Sequence, residues 1–287
     1  MIGTSLQKRV NGVLAMMQYS VAPDVTSSSL SISSGEADKN ALYMTQFGGG
    51  FTWSKSFPLY LEGNAAYSRY DPKFILSNGT EQRRVPTRWN TVVGTVGIGW
   101  DFPIAKELVL RPIANFTLGH VENDLSIAGR VIEGDTGLEI EFLKQGRLNA
   151  VGYGGSLMLD YEHFREEYEF EVELRLTDIH LQSYGGTSEA AQGSALAQSL
   201  GLWSRWRAPT GLRSLDRPVR YVVEYAFTHY FGPDGDMLGF NNLNSIGAGL
   251  ELDTSALDRV ATRWRLIGRY RFGENVSGWG ISLGISF

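Results

Sequence analysis

The sequence predicts an all-β fold: a 12-stranded antiparallel transmembrane β-barrel with an N-terminal α-helix plugging its lumen. Three observations predict it. Apolar and polar residues alternate with a period of two over stretches of ten or more residues, many times along the chain. The connections between these stretches tend to alternate between short and long. Aromatic residues fall at matching ends of the stretches, where a membrane interface favours rings that combine an apolar body with a polar edge.

Composition permits such a barrel and excludes several other classes. The chain has 287 residues, a net charge of −5 and no cysteine. The absence of cysteine rules out a disulfide framework and a Cys-ligated metal site. The acidic balance argues against nucleic acid as a partner. No uncharged run exceeds fifteen residues, too short for the ~20 apolar residues of a spanning helix. A membrane-spanning chain of this kind must therefore close its backbone hydrogen bonds as a barrel. The 34 glycines, 7 Trp, 13 Tyr and 14 Phe suit that solution.

In chain order, the first element is the predicted helix. Leu6, Val10, Val13, Leu14 and Met17 repeat at three- and four-residue spacing, so residues 5–20 read as an amphipathic helix. Thr4 or Ser5 caps its start and Pro23 forbids its continuation. Val10–Met17 follows Lys8 and Arg9 but lacks a signal peptide's length and cleavage site, so the sequence reads as a mature or recombinant form. Sixteen helical residues span about 24 Å, close to the ~25 Å apolar band of a barrel. Twelve strands enclose a lumen on the order of 12 Å once inward side chains are placed, about the width of a helix. Residues 1–24 are thus expected to form a lumenal plug and linker, and 25–287 the barrel.

The predicted strands are 25–34, 42–54, 59–70, 88–101, 107–120, 147–163, 166–180, 196–208, 218–231, 242–253, 261–272 and 277–287. The last is the clearest. Trp279, Ile281, Leu283, Ile285 and Phe287 share one face, and Gly278, Gly280, Ser282, Gly284 and Ser286 the other. The connections near 71–87, 121–146 and 181–195 are long and polar. Those after the second, fourth, sixth, eighth and tenth strands are short, the asymmetry of extracellular loops and periplasmic turns.

This topology places Trp53, Trp100, Tyr161, Tyr168, Trp206, Tyr221, Trp264 and Phe287 on the outer surface at the periplasmic rim. Tyr43, Tyr67, Tyr270 and Trp279 form the opposite girdle. Facing inward, Glu167, Glu169, Glu171 and Glu173 line one strand about 7 Å apart and need partners. Arg205 and Arg207 are expected level with Glu169 and Glu167, and Arg263 and Arg265 level with Glu251 and Asp253. Lys8 and Arg9 of the helix are expected near Glu171 and Glu173. A solvated set of lumen charges is the plainer alternative.

Catalysis and metal binding find no support in the motifs. Ser77-Asn78-Gly79 matches part of a barrel phospholipase motif, but Ile75 stands where the histidine base belongs. His120, His163, His180 and His229 scatter over different strands, and neither a metal nor a cofactor is expected from them.

A lumenal helix, twelve strands and the terminal pattern Trp279-x-Ile281-x-Leu283-x-Ile285-x-Phe287 together resemble the translocator β-domain of autotransporters, over about residues 5–287. The resemblance implies an integral protein of the Gram-negative outer membrane, monomeric and non-enzymatic. It also implies contact with outer-membrane lipids and delivery by the barrel-assembly machinery through the C-terminal strand. The sequence carries no passenger domain ahead of the helix, and Asn11 stands alone where some members carry an asparagine pair for cleavage, so the chain is expected to be either a solitary autotransporter-type barrel or a translocator excised from a longer gene. A small diffusion channel is the alternative expectation.

Overall fold

Long alternating strands dominate the structure, a computed structural model that describes residues 14, 17–22, 29–33, 41–71, 73–77, 82–86, 88–123, 147–184, 193–231, 240–254, 262–274 and 276–286. In chain order the strands begin with β1 (Ser29–Ser33), β2 (Ala41–Thr52), β3 (Leu59–Asp71), β4 (Lys73–Ser77) and β5 (Gln82–Pro86). Next come β6 (Trp89–Trp100), β7 (Phe102–Ala105), β8 (Leu108–Asn123), β9 (Arg147–Phe164) and β10 (Glu169–Ser183). Last are β11 (Ser194–Ser214), β12 (Arg217–Tyr230), β13 (Asn242–Asp253), β14 (Arg263–Gly273) and β15 (Val276–Ser286).

Twelve of these are staves, each antiparallel to the next: β1, β2, β3, β6 and β8 to β15. The pairings make a complete circuit. β6 skips the small β7 to pair β8 over Trp89↔Asn123 to Gly99↔Ile113, and β1 pairs both β2 and β15, the latter at Ser33↔Ser277. Among the described residues the short β1 covers β2 over Ala41–Thr45 and meets β15 at Ser277.

The staves fall on the twelve ranges predicted from alternation, with local differences. β10 starts at Glu169, so Glu167 lies in the exposed turn 165–168 instead of facing the lumen. β11 runs on to Ser214 through an irregularity between Pro209 and Arg213. Its turn puts Leu215 and Asp216 at φ 52° and 56°, the hand that matches hairpin twist. The 71–87 connection, read as a loop, carries the separate β4–β5 hairpin. Of the predicted helix, residues 1–13, 15 and 16 lie outside the described residues. Leu14 is helical, but Met17–Tyr19 form a 3₁₀ turn closed by Ser20 N–H donating to the Met17 carbonyl at 2.8 Å. The predicted α-helix is thus not seen among the described residues beyond the single residue Leu14.

Polarity is distributed inside-out. The outer wall exposes Phe47, Val96, Phe116, Leu157, Leu176, Val223, Leu250, Ile281 and Leu283. Charged Glu62, Arg111, Asp160, Glu171, Arg207, Glu224, Glu251 and Arg269 are buried on the inner face. In water this arrangement is costly on both counts; in a bilayer the apolar wall meets lipid and the lumen keeps the charges. No helix among the described residues is long and apolar enough to cross a membrane.

Candidate functional site

The lumen holds the unusual chemistry, and its side chains follow one order on most staves. The end carrying connections 53–58, 101–107, 165–168 and 215–216 is here the turn end, and the opposite end the loop end. Down β10 from the loop end, the inward residues are Leu181, Ile179, Thr177, Arg175, Glu173, Glu171 and Glu169. Down β8 they are Val121, Gly119, Thr117, Asn115, Ile113 and Arg111, and down β9 Leu148, Ala150, Gly152, Gly154, Ser156, Met158, Asp160 and Glu162. On β8, β9 and β10 the inner face is therefore layered: apolar at the loop end, hydroxyl and amide in the middle, charged at the turn end; β14 departs from it with Arg271 buried near the loop end.

The apolar layer encloses the described part of the N-terminal segment. Leu14, Met17 and Val21 pack with Val93, Val121, Leu148, Ala150, Ile179, Leu181, Ala195 and Ala197. Tyr19 packs with Met44, Tyr230, Phe240, Leu243 and Val276, its ring 4.4 Å from Tyr230 and 5.5 Å from Phe240. Gly119 makes room for this segment, since a Cβ there would lie 2.8 Å from Met17 Sδ. Two barrel amides hold the chain as it descends. Asn64 Nδ2 donates to the Ser20 carbonyl at 2.5 Å, and Gln46 Nε2 donates to the Ala22 carbonyl at 2.6 Å.

The middle layer is a hydroxyl–amide belt. Thr95 and Thr117 hydroxyls are 2.8 Å apart, and Ser156 Oγ donates to Asn115 Oδ1 at 2.8 Å. Asn115 Nδ2 donates to Glu62 Oε1 at 2.6 Å, where Gly97 leaves the space. A Cβ at Gly97 would approach Glu62 Cγ to 2.5 Å and Asn115 Nδ2 to 2.7 Å.

Ion pairs fill the turn-end layer, several joining staves that are not neighbours. Arg175 of β10 donates to Glu62 of β3 at 2.7 and 2.8 Å. Arg263 of β14 donates to Glu169 of β10 at 2.6 and 3.1 Å. Glu169 also receives Arg207 at 2.8 Å and Arg220. Glu171 receives Arg205 at 2.5 Å and Arg207 at 2.9 Å. Glu251, fully buried, receives Arg207 at 3.0 Å and lies 3.3 Å from Arg265 and 3.7 Å from Arg263. Arg269 pairs Glu224 at 2.6 Å, and Arg111 bridges Asp101 at 2.5 Å and Asp160 at 3.0 Å.

The observed register differs from the expected one by two residues at β10–β11. Arg207 stands opposite Glu169 and Arg205 opposite Glu171, because β11 runs past its predicted end at Ala208 and the turn takes Glu167. On β13–β14, Arg265 faces Glu251 and Arg263 faces Asp253. Lys8 and Arg9 lie outside the described residues. The role expected of them at Glu171 is filled by two barrel arginines, while Glu173 makes no ion pair among the described residues. Glu62, Asp101, Arg111, Asp160, Arg175, Arg220, Glu224 and Arg269 were missed by sequence reasoning. Glu62 and Arg111 were each signalled by a lone charge on an otherwise uncharged inward stripe, whereas Arg175 and Arg269 lie on stripes that carry several charges.

At the turn-end rim, Tyr168 and Trp206 stack at 4.5 Å, and Trp206 Nε1 donates to Tyr221 Oη at 3.4 Å. Trp53, Trp206 and Trp264 are exposed, Trp100 and Tyr168 partly so, and Phe287 lies outside the described residues. His163 Nδ1 and Glu107 Oε2 are 2.7 Å apart, with Arg165 at 3.0 Å from the other carboxylate oxygen. These hydrogen bonds, that of His163 first, hold the Glu107 carboxyl below its ordinary range. Tyr168 Oη lies 3.4 Å from His163 Nε2. Among the described residues no group of His, Asp and Glu is arranged to hold a metal.

An antiparallel ring with an apolar outer wall and a charged inner face fits a β-barrel. Neither a family model nor a curated protein matches the chain. Among solved structures it is similar to the transport unit of the autotransporter AIDA-I from Escherichia coli, at 15% identity and TM-score 0.49, covering 98% of this chain and 99% of that one. It is similar to the β-domain of the Bordetella autotransporter BrkA, at 15% identity and TM-score 0.45, covering 86% and 91%. The translocator domain of the autotransporter NalP from Neisseria meningitidis matches at 10% identity and TM-score 0.35, covering 99% and 96%.

Proposed function

We propose that the chain is an integral outer-membrane barrel of the translocator type, without enzymatic activity, whose lumen is occluded by its own N-terminal segment. One observation carries the reading: Leu14, Met17, Tyr19 and Val21 are buried against inward barrel residues, while the outer wall is apolar. A segment enclosed in this way fills the bore that a conducting pore needs open. Contact with lipid through the aromatic rim, and recognition of the β15 strand by the barrel-assembly machinery, belong to the same proposal. The chain is proposed to act as a monomer, since the ring closes within one copy.

The alternative, a small diffusion channel with a charged lumen, is favoured by Glu162, an inward-side residue of β9 that stays exposed at the turn end. Reconstitution in planar bilayers separates the two. The occluded barrel conducts little until residues 1–22 are deleted. A diffusion channel conducts with the segment present, and its conductance is unchanged by the deletion.

A further inference from the structure

We propose that the turn-end ion pairs form a second closure of the lumen, independent of the N-terminal segment and in series with it. The inference rests on the reading of the chain as an occluded membrane barrel.

Three features argue for it. First, the pairs reach across the lumen. Arg175–Glu62 joins β10 to β3, and Arg263–Glu169 joins β14 to β10, each pair four staves apart in a ring of twelve. A side chain engaged with a stave a third of the way round lies over the bore, whereas a pair between neighbours such as Arg205–Glu171 lies along the wall. Second, three of the four cross-lumen residues are buried: Glu62, Glu169 and Arg175 are each no more than 8% exposed, while the Arg263 side chain is 25% exposed. Water therefore has little access to them even at the end of the lumen that the described N-terminal residues do not fill. Third, each anchor is held more than once. Glu62 is fixed by Arg175, Asn115 and Tyr60, and Glu169 by Arg207, Arg220 and Arg263. A carboxylate gripped by several donors keeps its geometry when one contact is lost.

The two closures differ in chemistry. The loop-end one is made by apolar side chains of the N-terminal segment, Leu14, Met17 and Val21. The turn-end one is made by the walls themselves and opens only when charged pairs separate. Removal of residues 1–22 alone therefore leaves a narrowed pore. If the pairs halve the open width of a ~12 Å lumen, its area and conductance fall about fourfold.

A four-arm conductance experiment in planar bilayers tests this: the full chain, the 1–22 deletion, a belt variant (Glu62→Ser, Arg175→Ser, Glu169→Ser and Arg263→Ser), and both changes together. Heat-modifiable mobility on gels verifies folding of each arm. The proposal expects the combined form to conduct about fourfold more than the deletion alone, and the belt variant alone to stay closed. Equal conductance of the deletion and the combined form overturns the second closure while leaving the occluding segment in place. Full opening by the belt variant alone overturns the occluding segment instead. Should the belt variant fail to fold, the exchange Glu62→Arg with Arg175→Glu and the single-pair removal Glu62→Ser with Arg175→Ser are compared in the deletion background. The exchange keeps the deletion's conductance and the removal raises it; no difference between them overturns the proposal.

Discussion

Arg175 reaches across the lumen from β10 to Glu62 on β3, its Nη1 and Nη2 2.8 and 2.7 Å from the two carboxylate oxygens. The pair is also tied to Ser156 and Asn115, so it joins the charged layer to the hydroxyl layer above it. Replacing one member alone leaves a buried, unmatched charge, a loss of about 3–5 kcal/mol in comparable cases. Glu62→Gln and Arg175→Leu are each expected to lower the urea-unfolding free energy of the vesicle-inserted barrel by this order. The double replacement Glu62→Leu with Arg175→Leu is expected to recover much of it. Equal losses in single and double variants contradict a pair at this position.

Gly119 faces Met17 with no space for a side chain. Gly119→Leu is expected to push residues 14–17 out of their apolar site while the β8 pairings stay in place. Protease cleavage at the N-terminal segment then speeds up with no change in the barrel's heat-modifiable mobility. Unchanged cleavage contradicts the contact.

Two side-chain amides, Asn64 and Gln46, hold the carbonyls of Ser20 and Ala22. Asn64→Leu with Gln46→Leu removes both donors, each worth about 0.5–1.5 kcal/mol. Amide exchange over residues 17–22 is expected to accelerate by at least tenfold, with strand protection retained.

Alternation carried most of the fold, and the reason is physical: a stave between an apolar outer wall and a charged inner face changes polarity at every residue. The final strand is read directly from Trp279 to Ser286 for that reason. Turn position is set differently. Glu167 continues the alternating pattern of Glu169 and Glu171, yet Arg165 and Tyr168 close a backbone hydrogen bond of 2.9 Å that takes it into the turn. The same two-residue shift moved Arg207 opposite Glu169. Cross-lumen partners were less legible still. Alternation states which face a residue occupies, but Glu62 and Arg175 meet through the tilt of four staves, a quantity that no local pattern encodes.

The rim offers a pH prediction. The Glu107 carboxyl is held below its ordinary range by the hydrogen bonds of His163 and Arg165. A depressed carboxyl stabilises the fold above the unfolded value of about 4.3 and loses that contribution as pH falls through the lower folded value. Thermal midpoints of the wild type and Glu107→Gln are expected to differ at pH 7 and to converge near pH 3. A constant difference across that range contradicts the assignment.

The most direct test of the central claim, an N-terminal segment seated inside a membrane-embedded barrel, uses the absence of native cysteine. Met17→Cys with Gly119→Cys introduces the chain's only two thiols, at positions in contact across the lumen. The pair is expected to oxidise to a disulfide in intact outer membranes, and Cys substituted at 17 alone is expected to resist membrane-impermeant maleimide. Absence of the cross-link together with rapid labelling at 17 would contradict the account.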